Sequence, residues 1–393
     1  MAMTLPTLQP AVFVQTQDQL RHAVEVLRAE PLIAVDTEAN SLYAYRDRVC
    51  LIQISTRSDG EHPVDYIIDP LAIKDMSVLG EIFASPQIEK VFHAATYDLM
   101  MMKRDFGYTF TNVFDTMIAA RICGVRGIGL NALVKEVVGI ELDKSHQRDD
   151  WGKRPLPKAS LQYAQSDTHF LPQIRDHFVE RLNQLGVWTE AQETFDELTQ
   201  VSSAVHKQFD PDGYWKLGLP NNLKPRQLAN LRELYLMREE YARKFDLPPF
   251  KIIMDKTLVA IAQNSPSNEN ELQGIEGMTA GQIRRYGRDI LAALMRGKSA
   301  SIPTPPPLDP PADPVVVECY TALREWRKHR AESRGVEADV IIAREALWTL
   351  AERMPMSLED MRDIPGLGPW RLATYGEQLL EIIERFRRKD SAQ

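Results

Sequence analysis

Leu32-Ile33-Ala34-Val35 is a short apolar run that leads directly into Asp36-Thr37-Glu38. A run of this length and branching reads as a buried strand. Side chains on a strand alternate in direction, so Asp36 and Glu38 leave on one face while Thr37 leaves on the other. Hard divalent cations such as Mg²⁺ take oxygen ligands, and a pair of such ions needs several carboxylates converging from different parts of a chain. More acids should therefore follow. Asp98 ends His93-Ala94-Ala95-Thr96-Tyr97-Asp98, where a strand-like run gives way to a helix, and Asp167 ends Tyr163-Ala164-Gln165-Ser166-Asp167. On a helix, Tyr163 and Asp167 are four residues apart and share a face, which holds a phenol beside a carboxylate.

Each acid alone has an ordinary structural reading, since Asp after a strand is commonly a turn or helix cap and exposed Glu is commonly just solvated. The combination departs from that reading. It resembles the DEDD superfamily of 3′ to 5′ exonucleases in its tyrosine-bearing branch. By that resemblance Asp36 and Glu38 form the first exonuclease motif, Asp98 the second, and Tyr163 with Asp167 the third. The histidine-bearing branch carries its His five residues before the last Asp. Gln162 stands there in this chain, and His169 lies on the wrong side. The likeness extends to Leu51-Ile52-Gln53-Ile54, Val113-Phe114-Asp115-Thr116, Asp150-Trp151 and Arg154-Pro155-Leu156, a set similar to the ribonuclease D family. The resemblance implies a ribonuclease H-like mixed sheet with helices on its faces. It also implies two Mg²⁺ or Mn²⁺ ions, roughly 3.5 to 4 Å apart, held by Asp36, Glu38, Asp98 and Asp167. Hydrolysis would start from a free 3′ end and release nucleoside 5′-monophosphates. A free phenol has a pKa near about 10, so Tyr163 is expected to orient the attacking water rather than remove its proton.

Asp115 precedes the helix-compatible stretch Met117-Ile118-Ala119-Ala120 and reads most simply as an N-cap. His93, at the end of a probable strand, reads as a hydrogen-bonded structural residue. No His or Cys cluster has zinc-like spacing. Cys50, Cys123 and Cys319 are scattered in mostly apolar surroundings, which suits buried thiols in a reducing cytoplasm better than a disulfide framework. No apolar run approaches the roughly 20 residues that span a bilayer, and no basic segment leads into an apolar one at the N-terminus. A cytoplasmic protein is expected, with no membrane and no obligate protein partner.

The 393 residues suggest two or three domains. Residues 1–205 alternate strand-like and helical runs and read as an α/β exonuclease domain. From about 210 onward helices dominate, and a repeat is visible. Leu231-Arg232-Glu233 matches Leu323-Arg324-Glu325 at an offset of 92, while Arg285-Tyr286-Gly287 matches Thr374-Tyr375-Gly376 at 89, which suggests a three-residue deletion. Both copies resemble HRDC domains, small all-α helical bundles whose implied task is nucleic-acid binding. The expected boundaries are 210–297 and 315–390, joined by a stiff proline-rich linker over 298–314.

The net charge of −8 argues against a generic nucleic-acid coat protein, but residues 214–296 carry 13 Lys and Arg against 9 Asp and Glu, a net +4. Arg284, Arg285 and Arg288, with Lys251 and Lys256, are the expected phosphate contacts. The second copy keeps only Arg371 in the corresponding region and is expected to contribute less. The reading is thus an exoribonuclease acting on RNA with a free 3′ end, such as transfer RNA precursors and other small structured RNAs. The alternatives are a single-strand DNA 3′–5′ exonuclease, which shares the motifs, and a catalytically idle nucleic-acid-binding protein.

Overall fold

The computed structural model describes residues 8–57, 63–143, 145–205, 208–217, 222–307 and 310–390. In chain order these form β1 (Val12–Val14), α1 (Gln17–Leu27), β2 (Leu32–Ala39), β3 (Val49–Thr56), β4 (Asp65–Ile68), α2 (Ser77–Ala84), β5 (Glu89–Phe92), α3 (Thr96–Phe106), β6 (Val113–Asp115) and α4 (Thr116–Ile122). Then come only helices: α5 (Leu130–Val137), α6 (Lys158–His169), α7 (Leu171–Gln184), α8 (Trp188–Thr199), α9 (Pro225–Phe245), α10 (Pro249–Ile252), α11 (Asp255–Asn264), α12 (Glu269–Gln273) and α13 (Ala280–Ser299). They continue as α14 (Pro314–Arg334), α15 (Ala338–Ile341), α16 (Arg344–Arg353) and α17 (Pro369–Asp390), with single 3₁₀ turns at Gly213–Lys216 and Glu359–Met361. None of the described helices is long and apolar enough to cross a membrane.

The strands make one sheet in the order β1-β4-β3-β2-β5-β6. The outer pairs β1/β4, β2/β5 and β5/β6 are parallel and β3/β4 is antiparallel, so the sheet is mixed. Leu32 to Val35 and every residue of β3 are buried, as expected of central strands whose branched side chains are covered on both faces. β2 becomes half-exposed only at its end, where Asp36 to Ala39 emerge.

The chain divides into two compact units. The first holds the sheet and its helices up to Ala204 together with the second helical bundle from Pro310 onward. That bundle is docked on α8. Arg334 donates to both oxygens of the fully buried Glu190 carboxylate at 3.1 and 2.7 Å, and Glu193 accepts the Trp370 backbone N–H. Val340 joins the core formed by Phe114, Phe178 and Phe195. Arg371 is buried in this docking, where it donates to the Thr194 hydroxyl at 3.2 Å and the Ile341 carbonyl at 3.1 Å. Its charge is spent inside the protein and does not face a phosphate.

The second unit combines the first bundle with the segment Ala39–Arg48, which follows the end of β2. Asp246 accepts the backbone N–H groups of Tyr45 and Arg46 at 3.1 and 3.3 Å, and the Lys251 ammonium lies 3.6 Å from the centre of the Tyr43 ring.

The two bundles repeat at one constant offset of 89. Helix starts pair as Pro225/Pro314, Pro249/Ala338, Asp255/Arg344 and Ala280/Pro369. Left-handed end residues pair as Asp246/Gly335, Ser265/Met354 and Gly277/Gly366. Arg238 donates to the Ile253 carbonyl as Arg327 does to that of Ile342, each at 2.9 Å. The match at offset 92 is therefore a correction: Leu323 is the counterpart of Leu234, not of Leu231, and no deletion separates the copies. A slip of three residues rotates a helix by less than a full turn of about 3.6, so apolar residues stay on the buried face and the two registers look alike in sequence. Between Ser299 and Pro314 the described residues form neither helix nor strand; Leu308 and Asp309 of the expected linker lie outside the described residues.

Candidate active site

The end of β2 and one face of α6 meet. Ligand oxygens of Asp36, Glu38 and Asp167 all lie within 4.8 Å of one another. Alternation along β2 sets the first two side by side, and the i,i+4 spacing on α6 places Tyr163 above Asp167, to which its phenol is hydrogen-bonded. Asp98, on the first turn of α3, stands outside this trio. Its carboxylate accepts a hydrogen bond from the Thr37 hydroxyl while remaining in the field of Asp36. Thr37, between the two acids of β2, thus has a use of its own: its hydroxyl satisfies the Asp98 carboxylate.

The crowding is visible in proton affinity. Burial foremost, then the charge of Asp167, holds the Asp36 carboxyl well above the ordinary range, against the opposing bond from the Thr37 N–H. Glu38 is pushed up to about 10 by burial and by the charges of Asp36, Asp167, Asp98 and Asp149. Burial also raises Asp167, to about 7, with the Tyr163 bond opposing. The Tyr163 phenol itself is raised, by burial and by the Asp167, Glu38 and Asp36 charges, so it stays protonated at neutral pH. An all-oxygen donor set whose members repel each other when ionised fits a hard divalent cation such as Mg²⁺ or Mn²⁺.

Some supports for these residues come from positions the sequence did not single out. On the opposite face of α6, Gln165 donates to Asp65 at 2.7 Å and His169 Nδ1 lies 2.8 Å from the same carboxylate; the Ser55 hydroxyl bridges Asp65 and Thr168 at 2.6 and 2.7 Å. This buried network fixes the rotation of α6 against β3 and β4. The only sequence signal was a polar stripe, Gln165, Thr168 and His169, at helical spacing. Asp115 caps α4 as expected, accepting from Met117 and Ile118 at 2.8 and 3.0 Å. It also accepts from Ala94 and Ala95, at 3.3 and 2.7 Å, and so holds Ala94 at a φ of +63° just ahead of α3 and Asp98. Left-handed backbone is unfavourable for alanine, and two N–H bonds to one carboxylate offset that cost. His93 bonds Thr116 at 3.0 Å, in keeping with its structural reading. Arg154 clamps Asp69 with two bonds of 2.7 and 2.8 Å and donates to the Cys50 carbonyl, which seats Trp151 against the Tyr163 ring at 6.2 Å between centres.

The residues expected to meet phosphate differ in their surroundings. Arg284, Arg285 and Arg288 are exposed on the first half of α13, and no ion pair to them occurs among the described residues. Lys251 is stacked on Tyr43, and Lys256 lies 3.8 Å from Glu276.

Comparison with known proteins agrees with this architecture. A 3′–5′ exonuclease family model matches residues 11–183, and the HRDC domain model matches 227–294 and 317–383. Ribonuclease D of Pseudomonas paraeruginosa is 29% identical over 98% of this chain and 100% of its own length. The crystal structure of Escherichia coli RNase D, described as an exoribonuclease involved in structured RNA processing, superposes with a TM-score of 0.65 at 27% identity, covering 96% of this chain and 99% of that one. The catalytic core of RRP6 from Trypanosoma brucei superposes with a TM-score of 0.65 at 30% identity, over 74% of this chain and 80% of that one. Fold, site and relatives together define a 3′–5′ exonuclease carrying two HRDC domains. The chain belongs to the family of ribonuclease D and RRP6.

Proposed function

We propose that this protein is an exoribonuclease that removes nucleotides from the 3′ ends of transfer RNA precursors and other small structured RNAs in the cytoplasm. The observation that carries the reading is the convergence of Asp36, Glu38 and Asp167, with the Tyr163 phenol bonded to the last. Asp36, Glu38, Asp98 and Asp167 would hold two divalent cations. When bound, the ions supply an activated water and charge compensation on the leaving 3′ oxygen. Asp98 would give up its bond from Thr37 to join the other ligands. Tyr163, locked in its protonated form, orients the attacking water by hydrogen bonding and accepts no proton from it. Bond cleavage then leaves nucleoside 5′-monophosphates. Arg284, Arg285 and Arg288 would track the RNA backbone, helped by Lys251 and Lys256. The three cysteines are buried free thiols, in keeping with a reducing compartment.

The test is digestion of a 5′-labelled single-stranded RNA in Mg²⁺ or Mn²⁺, beside the same RNA carrying a 3′-phosphate, a circular RNA and a DNA of the same sequence. Shortening of the open RNA from its 3′ end, with the other two RNAs resistant, is the expected result. Cleavage of the circle would refute the exonuclease reading, and preference for DNA would favour the single-strand DNA alternative. Asp36→Ala and Asp167→Asn should each lower turnover by more than about 10³-fold with circular dichroism unchanged.

A further inference from the structure

The turn ahead of α6 carries a histidine that neither the motifs nor the proposed mechanism use. His146 Nδ1 lies 2.8 Å from the Asp149 carboxylate, which also accepts the Ser160 hydroxyl at 2.5 Å. The Asp149 N–H closes the turn on the His146 carbonyl at 3.0 Å. Both bonds to the Asp149 carboxylate hold it below the usual carboxylate range, Ser160 foremost. An ionised carboxylate only accepts, so Nδ1 carries a hydrogen, and the ring offers a second donor at Nε2 only in its imidazolium form. The other ring nitrogen, Nε2, has no hydrogen-bond partner among the described residues, and the side chain is 27% exposed. The ring stands 6.4 Å, centre to centre, from the ring of Tyr163, and the charge of Asp149 reaches Glu38, so the turn borders the carboxylate cluster.

We infer that His146 is a substrate-contacting residue, which as an imidazolium braced at Nδ1 by Asp149 donates its Nε2–H to a backbone phosphate of the RNA strand as it enters past Tyr163. A histidine braced by a carboxylate, with its free edge beside a site that must accept a polyanion, has the donor geometry and the charge support for that contact. The inference rests on the exoribonuclease reading above, because the phosphate it names belongs to that substrate.

The experiment measures kcat and KM for the full-length protein on 5′-labelled RNA, for wild type, His146→Ala and His146→Gln. It uses all-phosphate RNA and RNAs with one neutral methylphosphonate at each of the three linkages 5′ of the scissile one. His146→Ala should raise KM by about 10-fold and lower kcat by no more than about 3-fold, the size expected for one charge-assisted hydrogen bond. His146→Gln, which keeps an N–H donor, should recover part of the loss. At one linkage the methylphosphonate should weaken wild type by a similar factor and leave His146→Ala little changed. Equal methylphosphonate effects in both proteins at all three linkages would overturn the contact. So would a loss confined to kcat, which indicates proton transfer, or a loss in His146→Ala matched by a fall in melting temperature and not recovered by His146→Gln. Failure of the wild type to digest the unmodified RNA refutes the exoribonuclease reading itself; additive effects in an active wild type refute only the role of His146.

Discussion

At the scale of single residues, the carboxylate cluster sets function against stability. Asp36, Glu38, Asp98 and Asp167 have their proton affinity raised, by burial foremost and for all but Asp167 by neighbouring carboxylates, so in the absence of cations the fold carries the cost of holding these groups protonated. Glu38→Gln removes one member of the trio and keeps its shape. It should melt a few degrees higher than wild type in EDTA, since about 1 kcal/mol corresponds to roughly 2–4 °C in a domain of this size. The same variant should lose more than about 10³-fold in turnover. A lower melting temperature in a scanning measurement would mean that Glu38 is held by favourable bonds and not by crowding. Tyr163→Phe removes one orienting hydrogen bond and no ligand, so its rate should fall on the order of 10² to 10⁴ at most, with the fold intact. An unchanged single-turnover rate would leave the phenol a packing role only.

At the scale of elements, the second bundle is bound to α8 by an ion pair whose acid has no access to water. Glu190 is fully buried and Arg334 is mostly so, with the Tyr375 hydroxyl as a further partner of the guanidinium. Removing one member of such a pair strands a buried charge, which costs about 3–5 kcal/mol, whereas replacing both by apolar groups of similar volume is often nearly neutral. Arg334→Met should therefore lower the urea midpoint markedly, and Glu190→Leu combined with Arg334→Met should recover most of the loss. If the double variant is as unstable as the single one, the docking depends on charge and not on packing. The corresponding end of the first bundle is used differently: Asp246, the counterpart of Gly335, caps the N–H groups of Tyr45 and Arg46 in the segment that follows β2.

At the scale of the whole molecule, the two bundles have different consequences when altered. Neutralising Arg284, Arg285 and Arg288 touches no ion pair among the described residues, so the melting temperature should hold while RNA binding weakens. The slope of log K against log salt should fall by up to about 0.7 for each lost contact on a single strand. Truncation before Pro310 is a different event. It uncovers Glu190 and Glu193 and removes Val340 from the core around Phe114, so the shortened protein should melt at lower temperature and lose activity through instability. Parallel melting curves and salt-dependent binding for the two proteins separate the effects. A truncation that melts like wild type would mean that the second bundle contributes no stability to the exonuclease part.

The sequence alone determined what depends on local periodicity. Alternation along β2 put Asp36 and Glu38 on one face, helical spacing joined Tyr163 to Asp167, and the fading of strand signals from about residue 210 onward separated an α/β part from an all-α part. Asp115 was legible as a cap because an N-cap is defined by its neighbours in the chain. What lay outside local reach was decided only by the tertiary structure. Asp65 anchors α6 from a strand 100 residues away in sequence from Gln165. Asp98 rests on Thr37 because a hydroxyl donor faces it across the end of the sheet. The repeat register was misread by three residues because a helix slipped by that amount still presents an apolar face, and only the caps and the paired Arg238 and Arg327 bonds distinguish the two alignments. Arg371 looked like a remnant of a phosphate-binding cluster. Its buried place between Thr194 and the Ile341 carbonyl could not be read from its charge, since a guanidinium serves a phosphate or a protein carbonyl with the same donors, and only the packing of α17 against α8 chose between them.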